Sequence, residues 1–206
     1  EAPLPVKAQR ELCQSIFENA DRLSRIVDNL LNMTRIESGT FRVTKQLHVL
    51  EEIVGSTLSR MADQLRGRQI MTRLPADLPP VPLDDVLFQQ VLINIVDNAV
   101  RYVPADEEIE IAAAADETWL TVVVADRGLG LRPGDEERVF EKFYRGPALK
   151  SSQSGTGLGL TICRAVIEAH GGTIAASNRP DGGALFRIRV PLKKAAIANS
   201  EEKPVT

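Results

Sequence analysis

The chain has few aromatic residues, few cysteines and no excess of positive charge. Aromatic residues make up only 4% of its 206 residues, so aliphatic side chains must build the core. The two cysteines, Cys13 and Cys163, are far apart and lack a metal-ligand spacing, which is typical of a reducing, cytosolic setting. With 25 basic and 28 acidic residues the net charge is −3, so the chain lacks the excess of basic residues that would indicate nucleic-acid binding.

Long apolar runs are absent as well. No stretch reaches about 18 consecutive apolar residues, so the sequence predicts no membrane span and no membrane contact. The first residues lack the apolar core of a signal peptide. The length suits either one ordinary domain or one domain plus an appended element, and the start without Met suggests a fragment of a larger protein.

Residues 8–36 have the spacing of one long helix. A heptad stripe of alternating steps of three and four comprises Cys13, Ile16, Ala20, Leu23, Val27, Leu30 and Thr34. The stripe is widened by Phe17, Ile26, Leu31, Met33 and Ile36. This width indicates a bundle helix and predicts self-association, which would be non-native because the partner helix of the bundle is missing. Gly39, near a C-cap position, is expected to end the helix.

The rest of the chain predicts an α+β fold with helices on one face of a mostly antiparallel sheet. The expected strands are 41–49, 68–74, 108–115, 118–128, 172–178 and 184–192. The expected helices are 50–65, 85–102 and the one after Gly159, with a short helical piece at 135–143. Residues 74–84 are expected to form a proline-rich connection, and the tail 193–206 is expected to be mobile.

The predicted helix 85–102 has two unlike faces. Asp84 is a plausible N-cap, and Pro104 closes the helix. At about 100° per residue the apolar residues face the core, and the opposite face has two amides, a cation and a phenol, namely Asn94, Asn98, Arg101 and Tyr102. Amide oxygens suit Mg²⁺, a guanidinium suits phosphate and a ring can stack on a base. A solvated surface face is the alternative.

Two glycine-rich stretches also have groups that could bind a ligand. In "VVVADRGLGL" a strand delivers Asp126, whose carboxylate can accept a hydrogen bond from an amine, before Gly128 and Gly130; an ordinary turn is the alternative. In "GTGLGL" bare glycines precede a helix, whose N-terminal N–H groups favour phosphate; a flexible linker is the alternative. The stretch matches neither a Walker loop nor a Rossmann fingerprint.

The order of the motifs is more specific than any of them. "NIVDN", "DRGLG", "FEKFYRG" and "GTGLGL" resemble the N, G1, F and G2 boxes of the histidine kinase ATP-binding domain. This is the Bergerat-type fold, shared with gyrase, heat-shock chaperone and mismatch-repair ATPases. The resemblance covers residues 41–192, and residues 20–39 are similar to the second helix of a dimerisation and phosphotransfer hairpin. "VLINIVDNAVRY" and residues 162–191 are similar to KdpD-type potassium sensor kinases.

The resemblance implies a two-layer α/β sandwich preceded by one long helix, with domains at 1–39 and 40–192 and a flexible tail at 193–206. It implies ATP and Mg²⁺ as cofactors. Asn98 would ligate Mg²⁺ with help from Asn94, Arg101 would face phosphate, Tyr102 would lie against adenine, and Asp126 would read its amino group. Asn94 and Arg101 are the residues expected to act in catalysis.

Further roles follow from the same resemblance. Gly128 and Gly130 would hinge a lid that Phe140 and Phe143 anchor. Arg145 would reach toward the γ-phosphate, although a merely solvated side chain is the alternative. The triphosphate would meet Gly155, Thr156, Gly157, Leu158 and Gly159. Residues 145–157 bury little, so we expect nucleotide with Mg²⁺ to order about 146–157. Arg127 stands where the family commonly has Asn.

The stretch "NIVDN" also predicts transfer of the γ-phosphate of ATP rather than its hydrolysis. Hydrolysing relatives place Glu, a base for water, four residues before the metal-binding Asn, whereas this chain has Asn94 there. Asp97 is a rival base, but an exposed acid is the preferred interpretation. The γ-phosphate would then pass to a histidine. Neither histidine looks like an acceptor: His48 lacks the following acid and is expected to be structural, and His170 ends a helix where a cation suits the dipole.

The missing acceptor segment predicts a truncated piece that binds ATP without labelling itself. In the parent, the resemblance implies the cytoplasmic domain of a homodimeric bacterial inner-membrane sensor kinase, which passes phosphate to an aspartate of a KdpE-type response regulator. Two alternatives stay open. One is a serine kinase or anti-sigma switch of the same superfamily, against which the bundle helix argues. The other is a nucleotide-binding interaction module without catalysis.

Overall fold

The computed structural model describes residues 5–146 and 156–193. Gly155, the tail after residue 193 and most of the segment expected to become ordered with nucleotide lie outside the described residues. The helices are α1 (Val6–Glu37), α2 (Leu50–Arg60), α3 (Asp85–Tyr102) and α4 (Gly159–Ala169), with one 3₁₀ turn at Arg138–Phe140. The strands are β1 (Gln46–His48), β2 (Ile70–Arg73), β3 (Val81–Leu83), β4 (Ile109–Ala115), β5 (Trp119–Ala125), β6 (Thr173–Asn178) and β7 (Ala184–Pro191).

The main sheet has the strand order β2-β4-β5-β7-β6. Only β2 and β4 run parallel, and the other three pairs are antiparallel. Alternate residues of the strands are buried, as with Leu120, Val122 and Val124 in β5, because one face of the sheet meets the helices. Helix α4 packs on β6 and β7, and α3 packs on β5 and α4. The predicted two-layer α+β fold is therefore confirmed.

Short elements differ from the sequence prediction. The predicted proline-rich connection 74–84 contains β3, which pairs with β1 in a separate two-stranded sheet. Pro82 is tolerated there because β3 has a partner on one side only, so its missing N–H breaks no second ladder. Helix α2 ends earlier than predicted, at Arg60, and the helical piece expected at 135–143 is reduced to the 3₁₀ turn.

Helix α1 forms as predicted and extends slightly beyond the predicted range 8–36 at both ends, but its heptad stripe is largely uncovered. Ile16, Leu23, Val27 and Leu30 are more than half exposed, whereas Met33, one turn from the helix end, is buried. Near that end Lys142 Nζ lies 2.7 Å from Glu37 Oε1, and α1 contacts α4. Gly39 takes a left-handed φ of 65° and its N–H donates to Ile36 O, which confirms it as the terminator. Self-association through the stripe stays a prediction.

His170, at the end of α4, is not the cation that the helix dipole suggested. The imidazole is 1% exposed, its Nδ1 lies 2.7 Å from Val166 O, and its Nε2 accepts a hydrogen bond of 2.9 Å from the Asp84 N–H. A ring that donates at Nδ1 and accepts at Nε2 is neutral. Burial lowers the pKa of His170 below its ordinary value of 6.5, because the charged form would lose its hydration. The neutral ring links the start of α3 to the end of α4.

This link predicts a pH dependence of stability. The pKa of His170 is lower in the folded than in the unfolded chain. The contribution of His170 to the stability of the fold is therefore complete above the unfolded pKa of 6.5, and it is lost as the pH falls toward the folded pKa. We expect the free energy of unfolding, measured in urea, to decrease as the pH is lowered from 7.5 to 5.5. His170→Gln should remove most of that slope, and His48→Gln should leave it. An equal slope in the His170 variant would contradict the assignment.

Candidate functional site

Helix α3 carries the predicted polar row on the face opposite its buried side chains. Asp84 caps the helix, because its Oδ1 accepts the Leu87 N–H at 3.2 Å, as predicted. The apolar face is buried: Leu92, Ile95, Val96 and Ala99 are at most 4% exposed. On the other face Asn94, Asn98 and Arg101 are half-buried and Tyr102 is 39% exposed. The helix thus keeps four polar side chains at least partly accessible to a ligand.

The Asn94 side chain joins α3 to the start of α4. Its Nδ2 donates to Gly159 O at 3.3 Å, and its Oδ1 accepts from Gln90 Nε2 at 3.2 Å. The Asn94 amide is therefore fixed on both sides. Asn98, one turn later, makes no side-chain hydrogen bond within residues 5–146 and 156–193, which leaves its amide oxygen available to a ligand.

Asp97 differs from the exposed acid that the sequence suggested. Its Oδ2 lies 2.7 Å from Arg101 Nη2 and accepts from Arg101 Nε at 2.9 Å. Both side chains are about one-quarter exposed, at 24% for Asp97 and 27% for Arg101. The i,i+4 spacing brings the two onto one helix face. Asp97 therefore orients Arg101 and is itself held by a cation.

Asp126 ends β5 in a backbone cradle. The residue is 5% exposed, and its Oδ1 accepts the N–H groups of Gly128 at 2.8 Å and Ala184 at 3.1 Å. Its Oδ2 receives no hydrogen bond from any described residue. One carboxylate oxygen is thus committed to the fold, and the other retains its capacity to accept a hydrogen bond from a ligand.

A cleft of about 380 Å³ lies between the end of α3 and the loop after β5. Its lining includes Arg101, Tyr102, Arg127 and Gly128. Gly128 allows the two walls to approach, since a Cβ there would lie 2.8 Å from the Tyr102 carbonyl oxygen. Burial raises the pKa of the Tyr102 phenol, against the opposing charges of Arg101 and Arg145. Two positive side chains therefore act on the phenol at one wall of this cleft.

The two predicted lid anchors behave differently. Phe140 is 3% exposed and stacks edge-on with Phe186, with ring centroids 6.5 Å apart. Phe143 is 69% exposed, and the lid that it is predicted to anchor lies mostly outside the described residues, so that role stays a prediction. Phe143 has a φ of 62°, and its N–H donates to Gly157 O at 3.0 Å. This bond links the segment after the 3₁₀ turn to the stretch before α4.

The start of α4 has free capacity for an anion. Leu158, at the N-cap, makes no side-chain cap, and the first turn has no acidic residue. Thr156 Oγ1 accepts from the Leu158 N–H at a long 3.4 Å. Helix N-terminal N–H groups without side-chain caps attract phosphate. A Cβ added at Gly159, the first helical residue, would lie 3.5 Å from Asn94 Cγ, which is an ordinary contact distance.

Sequence reasoning missed the residues that support the Asp126 loop from the β6–β7 hairpin. Asn178 Oδ1 accepts the Leu131 N–H at 2.6 Å, and Arg127 Nη1 lies 3.2 Å from Asp181 Oδ2. The only signal in the sequence was the Gly182–Gly183 pair, which marks a turn without naming what the turn contacts.

Within residues 5–146 and 156–193, no helix is both long and apolar enough to cross a membrane. No three of the His, Cys, Asp and Glu residues described there form a group able to hold a metal ion.

Comparison with known proteins places these motifs in context. A family model described as "Histidine kinase-, DNA gyrase B-, and HSP90-like ATPase" matches residues 83–194. The chain is 46% identical over 172 residues to the sensor protein KdpD of Escherichia coli strain K12, covering 84% of this chain and 19% of that protein. It is 33% identical over 186 residues to the KdpD of Clostridium acetobutylicum, covering 90% of this chain and 21% of that protein.

A solved structure shares the fold. The crystal structure of full-length ShkA in complex with AMPPNP superimposes with a TM-score of 0.75 at 24% identity, covering 94% of this chain and 41% of that one. The chain spans about one-fifth of the length of the two KdpD proteins. These matches confirm the family resemblance that the order of the motifs predicted.

Proposed function

Because this chain belongs to the family of histidine kinase-, DNA gyrase B- and HSP90-like ATPases, we propose that it is the ATP-binding catalytic domain of a sensor histidine kinase. The observation that carries this proposal is the hydrogen bond from Asn94 Nδ2 to Gly159 O, which sets the amide face of α3 against the start of α4. The start of α4, which suits phosphate, and the amide side chains of α3, which suit a metal ion, could then bind the same ligand.

The residues present fit ATP with Mg²⁺. Asp126 Oδ2 would accept a hydrogen bond from the adenine amino group, and Tyr102 would lie against the ring. The N–H groups at the start of α4 would hold phosphate oxygens. Asn98 would supply one oxygen to Mg²⁺, which commonly takes one or two protein ligands and completes its shell with phosphates and water.

We infer transfer of the γ-phosphoryl group of ATP to an imidazole nitrogen, in which a nitrogen–phosphorus bond forms, the bond from the γ-phosphorus to the bridging oxygen breaks, and ADP leaves. Water attack needs a general base near the phosphate. Asn94 is an amide, which cannot remove a proton from water, and both of its polar atoms are engaged. Asp97 is paired with Arg101. The chain therefore holds the nucleotide and orients it, and a histidine outside this site accepts the phosphoryl group.

The finer roles rest on the resemblance to KdpD-type sensors. We infer relay to an aspartate of a KdpE-type response regulator, a homodimeric parent protein and a potassium or osmotic stimulus. The 46% identity to the Escherichia coli KdpD supports this class of sensor. The exposed stripe of α1, with Ile16, Leu23 and Val27 at its centre, is the surface that would pair in the homodimer.

Radioactive γ-labelled ATP tests the proposal. We expect no acid-labile label on this chain alone and label on a separately prepared helical hairpin that carries a histidine followed by an acid. Asn98→Ala should reduce the labelling rate about 100-fold or more, because the metal loses its protein ligand. Ser59→Ala, an exposed change on α2, is the control.

Four results would each overturn part of the assignment. Acid-stable label on a serine would favour the serine kinase, and full labelling by the Asn98 variant would remove the metal role. Rapid release of free phosphate that depends on Asp97 would show hydrolysis. Absence of any transfer to the hairpin, despite tight ATP binding, would favour a nucleotide-binding module without catalysis.

A further inference from the structure

The β6–β7 hairpin, residues 178–184, contacts the loop that follows β5 at three successive points. We propose that this hairpin is a positioning element for adenine recognition and that Asn178 is its principal residue. The inference rests on the proposed function, in which Asp126 reads the adenine amino group. It adds a second group of residues, distant in sequence, that determines where the Asp126 carboxylate points.

The first contact holds Asp126 itself. The Asp126 N–H donates to Ala184 O at 2.9 Å, and the Ala184 N–H donates to Asp126 Oδ1 at 3.1 Å. Gly183 has a φ of 95°, and a Cβ on it would collide with the Asp126 carbonyl oxygen. The hairpin therefore approaches the backbone of Asp126 more closely than a side chain permits, and it fixes which carboxylate oxygen is free.

The second contact holds the far end of the loop. Asn178 Oδ1 accepts the Leu131 N–H at 2.6 Å, while Asn178 Nδ2 donates to Leu131 O at 2.8 Å. One amide thus satisfies both backbone groups of one loop residue. Gly130, with a φ of 70°, passes directly under it, since a Cβ there would lie 2.7 Å from Asn178 Oδ1. A loop with so little regular structure has few other restraints.

The third contact holds Arg127, between the other two. Arg127 Nη1 lies 3.2 Å from Asp181 Oδ2, and Asp181 is oriented by Arg179, whose Nε and Nη2 donate to its two oxygens at 3.1 and 3.0 Å. Arg127 also lines the cleft beside Tyr102. An exposed ion pair contributes little to stability, so the effect of this pair is to orient the Arg127 side chain.

These contacts make a specific prediction about selectivity. Asp126 Oδ2 accepts a hydrogen bond from the 6-amino group of adenine, whereas inosine triphosphate has an oxygen at that position and repels the carboxylate. A loop held in place should favour ATP over inosine triphosphate by about 10-fold to 100-fold, the range expected for a hydrogen bond to a charged group. A loosened loop should lose part of that ratio.

Isothermal titration of the full 206-residue chain with ATP and inosine triphosphate, both with Mg²⁺, measures the ratio. We expect Asn178→Ala to lower the ATP affinity about fivefold or more and to reduce the ATP preference about threefold or more, the effect of losing about one hydrogen bond. Asp181→Asn, which keeps the size of the side chain, should act in the same direction. Pro180→Ala, an exposed change in the same hairpin, is the matched control.

The outcomes separate the two proposals. Wild-type chain that binds neither nucleotide would overturn the proposed function. Wild-type chain that prefers ATP, with variants that lower the melting temperature but keep the wild-type ratio, would show that the hairpin is only structural and would overturn this inference. If Asn178→Ala does not fold, the ratio in Asp181→Asn decides in the same way.

Discussion

Replacing Asp126 by asparagine is expected to lower the affinity for ATP by about 100-fold or more while the chain stays folded. The asparagine oxygen can still accept the N–H groups of Gly128 and Ala184, which Asp126 Oδ1 accepts in the structure. The new NH₂ replaces Oδ2, the oxygen without a described partner, and it would meet the adenine amino group donor to donor. An unpaired donor buried against a ligand costs about 1–3 kcal/mol, in addition to the lost bond. Isothermal titration with ATP and Mg²⁺ gives the affinity.

The chain offers a matched control for this experiment. Asp116, in the turn before β5, also accepts two backbone N–H groups through one oxygen, those of Thr118 at 2.7 Å and Trp119 at 2.8 Å. It lies at the opposite end of β5 from Asp126. Asp116→Asn should therefore leave the affinity for ATP unchanged. Equal affinities of the Asp126 variant and the wild-type chain would refute the role of Asp126 in recognising adenine.

The second large effect is expected from Gly157→Ala. Gly157 has a φ of 70°, and a Cβ there would lie 2.7 Å from the Phe143 carbonyl carbon and 2.8 Å from its Cα. Backbone atoms cannot move aside as a side chain can, and alanine in the left-handed region costs about 1–2 kcal/mol by itself. The stretch before α4 should shift, and the free energy of unfolding should fall by about 2 kcal/mol. ATP affinity should fall about tenfold, because the phosphate-binding N–H groups move with that stretch.

Gly159→Ala is the corresponding control, two residues further on. Its Cβ would contact the Asn94 side chain at 3.5 Å, an ordinary distance, and its φ lies outside the left-handed region. Alanine is favoured over glycine in a helix by about 1 kcal/mol. Urea unfolding should therefore show a stability for Gly159→Ala that equals or exceeds that of the wild-type chain. Similar losses in both variants would indicate that the glycines act by flexibility rather than by shape.

The site could be predicted where its residues follow one another along a helix. Asn94, Asn98 and Arg101 share a face of α3 because the helical repeat is fixed by backbone geometry, and Asp84 caps that helix as its position predicts. Even the Asp97–Arg101 pair has a spacing that the sequence shows, although the acid was expected to be exposed. Local hydrogen bonds and helical periodicity are sufficient for statements of this kind.

Residues whose roles depend on distant contacts could not be predicted. No local pattern indicated that the Phe143 N–H would donate to Gly157 O from a position with positive φ. His170 was expected to be charged, yet it is buried and accepts a hydrogen bond from Asp84, which lies 86 residues earlier. The three-residue strand β3 has too few residues to show a period.

The sequence by itself determined the family, the helix faces and the alternation of the sheet, since these depend on residue type and local spacing. Only the tertiary structure decided which oxygen of the Asp126 carboxylate accepts the N–H groups of Gly128 and Ala184 and which oxygen has no described partner. It also placed Asn178 against Leu131, 47 residues away in the chain. Such contacts form when strands pair and loops close over long separations, and no local pattern records which backbone groups will then meet.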